Sequence, residues 1–572
     1  MSSRQEIILS DLSGCQPATA LSSRRRRSHW QLIPYATEHF AGTMLSAGPM
    51  TDPPEVRLEL NLEGWHAIFV AMWTAGRTDT FYAKSTEGAD NVGAIRVRLD
   101  SDPCSILMRR EQPGRDTLEE AFWKCADLSQ RTLIVSPQSE GFRGDCSLAY
   151  VRLVPLTRRE LADLEEDRRR TDTRRLIATN DAFGIFFRGR ITSREGIREH
   201  VEPYRHSDFG KLFWEVVAGM FGGWRAAGKR YGDGVEDFPR TGDLHLRDSI
   251  RTLVAKGINP LQTAMDHAHG MGLEFHVSQR TEMFQSAPPF EEGFSTDFYA
   301  ANPQYRLRDR DGTEITGLSY AFPEVRAYLT GMFEEAVSLG ADGAAVIYPR
   351  SAPYVLYEEP VVSRFQEQHG TDLRGVEAGD VRLLQVWAQF MTQFMGELRQ
   401  TLDAVGSRLG KRLQLSAITF ATEAENRRFG LDPAAWIRAG CVDAVIAYPC
   451  LADHSFCEID TEHYAGLTRD TPCKLYMNVM PRHMSPREYR ERALAYYDAG
   501  ADGLLFWDTY QRHDATSQWE TVRRLGHVDE LRSRMERAAT SAVQASESEP
   551  RLLALRMLGG HSMLPYSPYR GT

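Results

Sequence analysis

The sequence predicts an α/β protein: a (β/α)8 TIM barrel preceded by an all-β, jelly-roll-like sandwich. Three stretches share one pattern: VSLGADGAAVIYPR ending at Arg350, IRAGCVDAVIAYPC ending at Cys450, and YDAGADGLLFWDTY ending at Tyr510. Each reads as an amphipathic helix closed by a glycine (Gly340, Gly440, Gly500), a turn holding an Asp, an apolar run of strand length, and then aromatic or charged residues. Glycine supplies a left-handed helix cap, and a continuous apolar run suits a parallel strand buried on both faces. The second observation is the count. Eight strand candidates follow one another with helical patterns mostly between them, and in such a barrel the active site is built at the C-terminal ends of the strands.

In chain order, residues 1–50 are polar, with Arg24 to Arg27 in a row and no sustained period, and are expected as a flexible or edge segment. Residues 51–156 change texture: EVRLELNL, HAIFVAMW, TFYAKS, AIRVRLD, TLIVSP and LAYVRLVPL are short strands separated by Gly, Asp, Pro and Ser, the spacing of a sandwich. Its Trp65, His66, Trp73 and Trp123 are candidates for a carbohydrate-binding face, against the plainer reading of core aromatics. Residues 157–174 are so charged, with only a thin apolar stripe, that they read as a solvated helical linker. The barrel spans 175–530. Its strands are LIATND (to Asp181), KLFWEVVAG (to Gly219), LEFHVSQR (to Arg280), AAVIYPR (to Arg350), RLQLSAITF (to Phe420), DAVIAYP (to Pro449), KLYMNVMPR (to Arg482) and GLLFWD (to Asp508). Helix starts are marked by Ser193 with Glu195, by Pro323, by Pro433, and by Ser485 with Pro486. An open doubly wound sheet also alternates β and α, but the first strand is followed by neither GxGxxG nor a Walker loop, and eight units fit closure. The tail, 531–572, is Ser- and Glu-rich and then ends in LLALRMLGGHSMLPYSPYRGT, and the sequence does not place it.

Composition narrows the function. A length of 572 residues implies two or three domains. With 68 Lys plus Arg against 78 Asp plus Glu, the formal charge is −10, which argues against a nucleic-acid partner. No apolar run approaches the roughly 20 residues of a membrane span, and the N-terminus lacks the regions of a secretory signal, so a soluble, cytoplasmic protein is expected. The eight Cys are scattered without a CxxC, as reduced buried thiols would be. Oligomeric state is not legible.

Several segments resemble the family-10-like glycosyl hydrolase proteins, (β/α)8 relatives of glycoside hydrolases with a preceding β-sandwich. They are ATND at Asp181, EPYRHSDFGKLFWE ending at Glu215, GLEFHVSQR with FYAANPQYRLRDRDG after it, LSYAFPEVR, GADGAAVIYPR followed by YEEPVV, ENRRFGLDPAAWIRAGCVDAVIAYP, and GADGLLFWDTYQR followed by RRLGHVDEL. The resemblance covers most of 175–530 and implies glycosidase-like activity without naming a substrate. It also implies an Asp closing the fourth strand, where this chain has Ile347, and an alkyl group cannot do acid–base or nucleophilic work.

Glycoside cleavage normally uses two carboxyl groups flanking the bond. The catalytic candidates are Asp508, which follows the apolar LLFW of strand eight; Glu423, after strand five; and Glu215, on strand two. Their plainer roles are a cap or a partner of Arg512, a solvated loop charge, and an ion pair with Arg280 or Arg350. Candidates for substrate contact are Asp181, Trp214, His276, Arg280, Tyr348, Arg350, Glu358, Tyr448, Asn478, Arg482 and Trp507: rings stack on sugar C–H faces, polar groups bond hydroxyls, and core packing is the alternative for the aromatics. His267 and His269 in MDHAHGMG fall on different faces of a helix, no HxH ends strand one, and no Gly-rich phosphate cradle lies between strands seven and eight, so neither metal nor cofactor is expected. The expected function is hydrolysis of a glycosidic bond by paired carboxylates. The alternatives are a non-hydrolytic carbohydrate-binding protein with a degenerate site, and a sugar-acid lyase or isomerase in which Arg280, Arg350 and Arg482 hold a carboxylate. An anionic sugar fits all three.

Overall fold

The computed structural model describes residues 6–48, 51–74, 93–109, 117–137, 146–216, 235, 238, 240–281, 295–349, 351–453, 455–482, 484–509, 512–513, 516–533 and 551–558. Eight parallel strands close a barrel in chain order: Leu176–Asn180, Phe209–Glu215, Glu274–Arg280, Gly343–Ile347, Gln414–Phe420, Ala444–Tyr448, Lys474–Asn478 and Gly503–Phe506. They are numbered one to eight below. The last strand pairs with the first, Leu504 opposite Leu176, which rules out an open sheet.

Side chains alternate between two cores. Ile177, Phe213, Ala345, Ile347, Ile418, Ile446, Tyr476 and Leu505 fill the barrel, and their neighbours pack outward against the helices. At the lower end two glycines admit rings: a Cβ on Gly343 would lie 2.7 Å from the His276 ring, and one on Gly503 2.6 Å from the Tyr476 ring. Lys211, Glu274 and Gln414 close that end in a hydrogen-bonded trio at 2.5–3.1 Å.

The three repeats have a common construction. Gly340, Gly440 and Gly500 take φ of 115°, 65° and 103°, the left-handed region expected of helix caps. Each Asp then brackets the start of a neighbouring strand: Asp342 accepts from the Phe275 N–H (2.8 Å), Asp443 from Leu415 (2.8 Å) and Asp502 from Leu475 (2.9 Å). The helix before strand five, Val381–Leu409, is the longest in the described chain, and its buried Leu383, Val386, Phe390, Phe394, Leu398, Leu402 and Val405 follow the helical period.

The N-terminal region is a two-sheet sandwich. A nine-stranded sheet faces a four-stranded one (Val56–Glu59, Thr132–Pro137, Ile95–Leu99, Ile106–Met108), with Trp30, Leu45, Val70, Val97 and Leu133 between them. Residues 1–50, expected as a flexible or edge segment, contribute Ile7–Leu9, Leu21–Ser22, Trp30–Ala36 and Ala41–Ala47 to the larger sheet, with Leu21–Ser22 at its edge. The tail also has a place: Arg551–Ala554 pairs with Thr117–Asp127, and Arg556–Met557 with Trp30–Ala36, so the chain returns from the barrel to the sandwich. The linker holds a helix, Arg158–Arg169, opened by a capping box of Thr157 and Glu160 and without a buried residue. All eight cysteines are free thiols. No helix of the described residues is long and apolar enough to cross a membrane.

Candidate active site

Strands one and eight are neighbours, so the acids at their ends are brought to the same side of the mouth. Asp508 leaves strand eight with φ 46°, a left-handed backbone uncommon outside glycine, and Ala182, next to Asp181, has φ 50°. The turns are cross-tied. The Asp508 N–H donates to Thr179 Oγ1 (2.8 Å) and the Thr179 N–H to Thr509 Oγ1 (3.1 Å), while Asp181 Oδ1 accepts from the N–H groups of Phe183 (3.1 Å) and Gly184 (2.8 Å). Burial first, and then the Asp508 carboxylate, push the Asp181 carboxyl above its ordinary range, against the pull of the Gly184 N–H and Arg280.

Two arginines complete the group. Arg482 donates to Asp508 Oδ2 at 2.5 Å, and Arg280 lies 3.2 Å from Glu215. Burial opposes the Arg280 charge, but Glu215, Asp181 and Asp508 together hold its pKa above the usual arginine value. Its guanidinium sits 5.8 Å from the centre of the Trp507 ring, which meets Tyr448 edge-on at 5.1 Å. Asn478 is a bracket on the same rim, its Oδ1 accepting from the Trp507 N–H at 3.2 Å. Asp508 Oδ1, Trp507 Nε1 and Asn478 Nδ2 are buried with no hydrogen-bond partner among the described residues, so polar atoms at this rim are left unsatisfied. The structure therefore assembles Asp181, Glu215, Arg280, Tyr448, Asn478, Arg482, Trp507 and Asp508.

Other candidates lie elsewhere. Glu423 opens the helix Glu423–Arg428, is half exposed, pairs with Arg427 and with His463 (3.7 Å), and lines a separate cavity of about 280 Å3 against the long helix. Glu358 is a clasp: buried, it accepts from the Arg308 N–H (2.8 Å), Ser319 Oγ (2.7 Å) and the Leu356 N–H (3.0 Å), and burial raises its pKa. Trp214 and Tyr348 point out of the barrel, because their neighbours Glu215 and Ile347 point in; Trp214 packs with Phe275, and Tyr348 stacks on Trp436 at 5.4 Å. His276 belongs to the lower interior, stacked on Phe213 at 5.1 Å, where burial lowers its pKa. Arg350 and Tyr510 lie outside the described residues. In the sandwich, Trp73 is core, His66 is buried against the Gly64 carbonyl, and Trp65 and Trp123 line a cavity facing the barrel.

Sequence reading missed two structural partners of the site. Thr179 and Thr509 cross-tie the two turns. Arg512, fully buried, bonds the carbonyls of Trp507 (2.6 Å) and Val479 (3.1 Å) rather than Asp508. Among the described residues two groups hold metal-type donor atoms that lie within 4.8 Å of one another inside the group, Cys104–Glu202–His267 and Asp167–His527–Glu530. Glu202 already bonds Arg205 and His267, and Asp167 and Glu530 already bond Arg524, so both groups are ion-pair networks tying segments together.

No family model and no curated protein matches the chain. Among solved structures it is similar to a cycloisomaltooligosaccharide glucanotransferase of Paenibacillus sp. (11% identity, 80% of this chain and 54% of that chain, TM-score 0.33). It is also similar to a beta-galactosidase from Marinomonas ef1 (12% identity, 64% and 61%, TM-score 0.36) and an alpha-galactosidase from Thermus thermophilus (12% identity, 87% and 94%, TM-score 0.34). The chain thus spans about half the length of the glucanotransferase. Likeness at this level carries no argument about the reaction.

Proposed function

We propose that the protein is a glycoside-active enzyme that cleaves a glycosidic bond at the barrel mouth, with Asp508 as the ionised carboxylate and Asp181 as the proton donor. The observation that carries this reading is the pair itself. Two carboxyl groups stand at the ends of adjacent strands in different surroundings: Asp508 is bound by Arg482, while the Asp181 carboxyl is raised by burial and by the Asp508 charge. Tyr448 and Trp507 back the site with buried rings, and Arg280, beside both acids, suits a substrate that carries or develops negative charge. Assignment to the family-10-like group rests on the sequence motifs alone.

The test is a panel of neutral and uronic-acid glycosides assayed for released reducing sugar. Asp508→Asn is expected to lower kcat by about 10²–10⁴-fold with binding nearly unchanged, and Asp181→Asn to lower it comparably. Turnover untouched by Asp508→Asn would transfer the role to Glu215. One observation favours a second reading, carbohydrate binding without hydrolysis: Ile347, paired with Arg280 in the strand register, is 2% exposed within the barrel, where the resemblance implies an acid. On that reading wild type and Asp508→Asn bind the same glycan and neither cleaves it.

A further inference from the structure

A cavity of about 590 Å3, within the size range of small-molecule sites, opens between the sandwich and the barrel, away from the mouth. Its walls carry Lys124, Arg131, Arg168, Arg205, Arg523 and Arg524, and three of these are neutralised. Lys124 is bound by Asp102 at 2.5 Å, Arg205 by both oxygens of Glu202, and Arg524 by Asp167 at 2.9 Å and Glu530 at 2.7 Å. Arg168, from the linker helix, and Arg523, from the segment after strand eight, are different. Among the described residues neither has a carboxylate within ion-pair distance. Arg168 gives one N–H to the Cys125 carbonyl (3.1 Å), and its buried Nε has no hydrogen-bond partner; Arg523 gives one to the His206 carbonyl (3.4 Å). Each rests near a sandwich ring instead, Arg168 at 5.4 Å from the centre of Trp65 and Arg523 at 5.8 Å from that of Phe122. Contact with a ring face holds a guanidinium in place without a carboxylate.

The local field agrees. Burial, then Arg168, Arg205 and Arg523, push His206 down to about 4, and burial lowers both Arg168 and Arg523. The acids that act on Arg523, the exposed Glu520 and the His527-bound Asp208, do so from beyond ion-pair reach. Partly buried cations without counter-charge destabilise a fold unless an anion joins them.

We propose that this cavity is a binding site for a small organic anion, a carboxylate or phosphate on a body of sugar size, received by Arg168 and Arg523. Trp65 and Trp123 line the space and report on its occupancy.

The experiment is titration of the full-length protein with inorganic phosphate, glucose 6-phosphate and glucuronate, with glucose as neutral control, followed by calorimetry and tryptophan fluorescence. At least one anion is expected to bind saturably and less tightly as salt is raised, glucose is expected not to, and Arg523→Met or Arg168→Met should each weaken binding by about tenfold or more. Preference for phosphate or for glucuronate identifies which anion the site takes, and either result supports it. Asp508→Asn at the mouth should leave this binding unchanged, which separates it from the proposed reaction. If Arg168→Met fails to fold, Arg523→Met and the charge-keeping Arg523→Lys carry the comparison. The proposal is overturned if no anion binds wild type, if glucose binds as well as the anions, or if Arg523→Met binds as tightly as wild type.

Discussion

At the scale of the residue, the candidate site is a question of how two acids are held. A left-handed backbone costs a non-glycine residue of order 1–3 kcal/mol, and it persists where surrounding contacts over-determine it. Asp508 has such contacts: Thr179 takes its N–H, Arg482 its carboxylate, and Arg512 the carbonyl of the preceding Trp507. Asn tolerates positive φ as Asp does, so Asp508→Asn removes the charge and keeps the turn. A direct prediction follows for Asp181. Its carboxyl is raised first by burial and next by the negative charge of Asp508, so Asp508→Asn should lower its pKa, and Arg280→Met, which removes a nearby positive charge, should raise it. Carboxyl 13C titration of labelled Asp reads both. An Asp181 titration that stays put in Asp508→Asn would mean that the two carboxyl groups do not share a site.

At the scale of the element, the repeated Asp of the αβ units holds the lower rim. Asp443 accepts from the Leu415 N–H and receives Arg399 (3.2 Å) and Arg412 (2.6 Å). Asp443→Ala should therefore destabilise the protein by about 1–3 kcal/mol, read by denaturant unfolding, because a strand N–H loses its acceptor and the buried Arg399 loses one of its acceptors, keeping Asp403 and the Leu413 carbonyl. Asp443→Asn, which keeps an acceptor, should cost less; equal losses would make the pairing irrelevant. The repeat was legible because period, cap and apolar run are local signals, and the eight strands are those the sequence marks. What escaped is what one residue of parity or a distant partner decides. Trp214 and Tyr348 sit beside inward-facing Glu215 and Ile347 and so belong to the outer core. His276 shares a strand with Arg280 but lies four residues lower. Glu423 comes after the chain has already turned into a helix, whose surface it joins. The first strand of the chain and the strand after residue 550 pair across a hundred residues or more of sequence, Ile7 with Leu153 and Arg551 with Glu120, which no local pattern records.

At the scale of the whole molecule, the chain is drawn together where the linker meets the barrel. His527 is buried between two carboxylates, with Nδ1 2.8 Å from Asp208 before strand two and Nε2 2.7 Å from Asp167 on the linker helix. The next linker residue, Arg168, bonds the Cys125 carbonyl of the sandwich, so this imidazole lies on the route by which the domains are joined. Burial works against its charge, yet the hydrogen bonds it donates to Asp167 and Asp208 outweigh it and lift the pKa to about 9. The unfolded value is about 6.5, so the folded state binds this proton more tightly. A raised pKa contributes stability in full below the unfolded value and loses it as pH rises through the folded one; the window here is pH 6.5 to 9. A shift of this size corresponds at most to about 3 kcal/mol. Wild type should accordingly lose thermal stability across that window, while His527→Gln, which cannot be protonated, should be less stable than wild type near the acidic end and approach it near the alkaline end. Melting curves of the two proteins across the window decide the matter: a gap that stays constant with pH would show that His527 holds the junction by shape and neutral hydrogen bonds, and not by its charge.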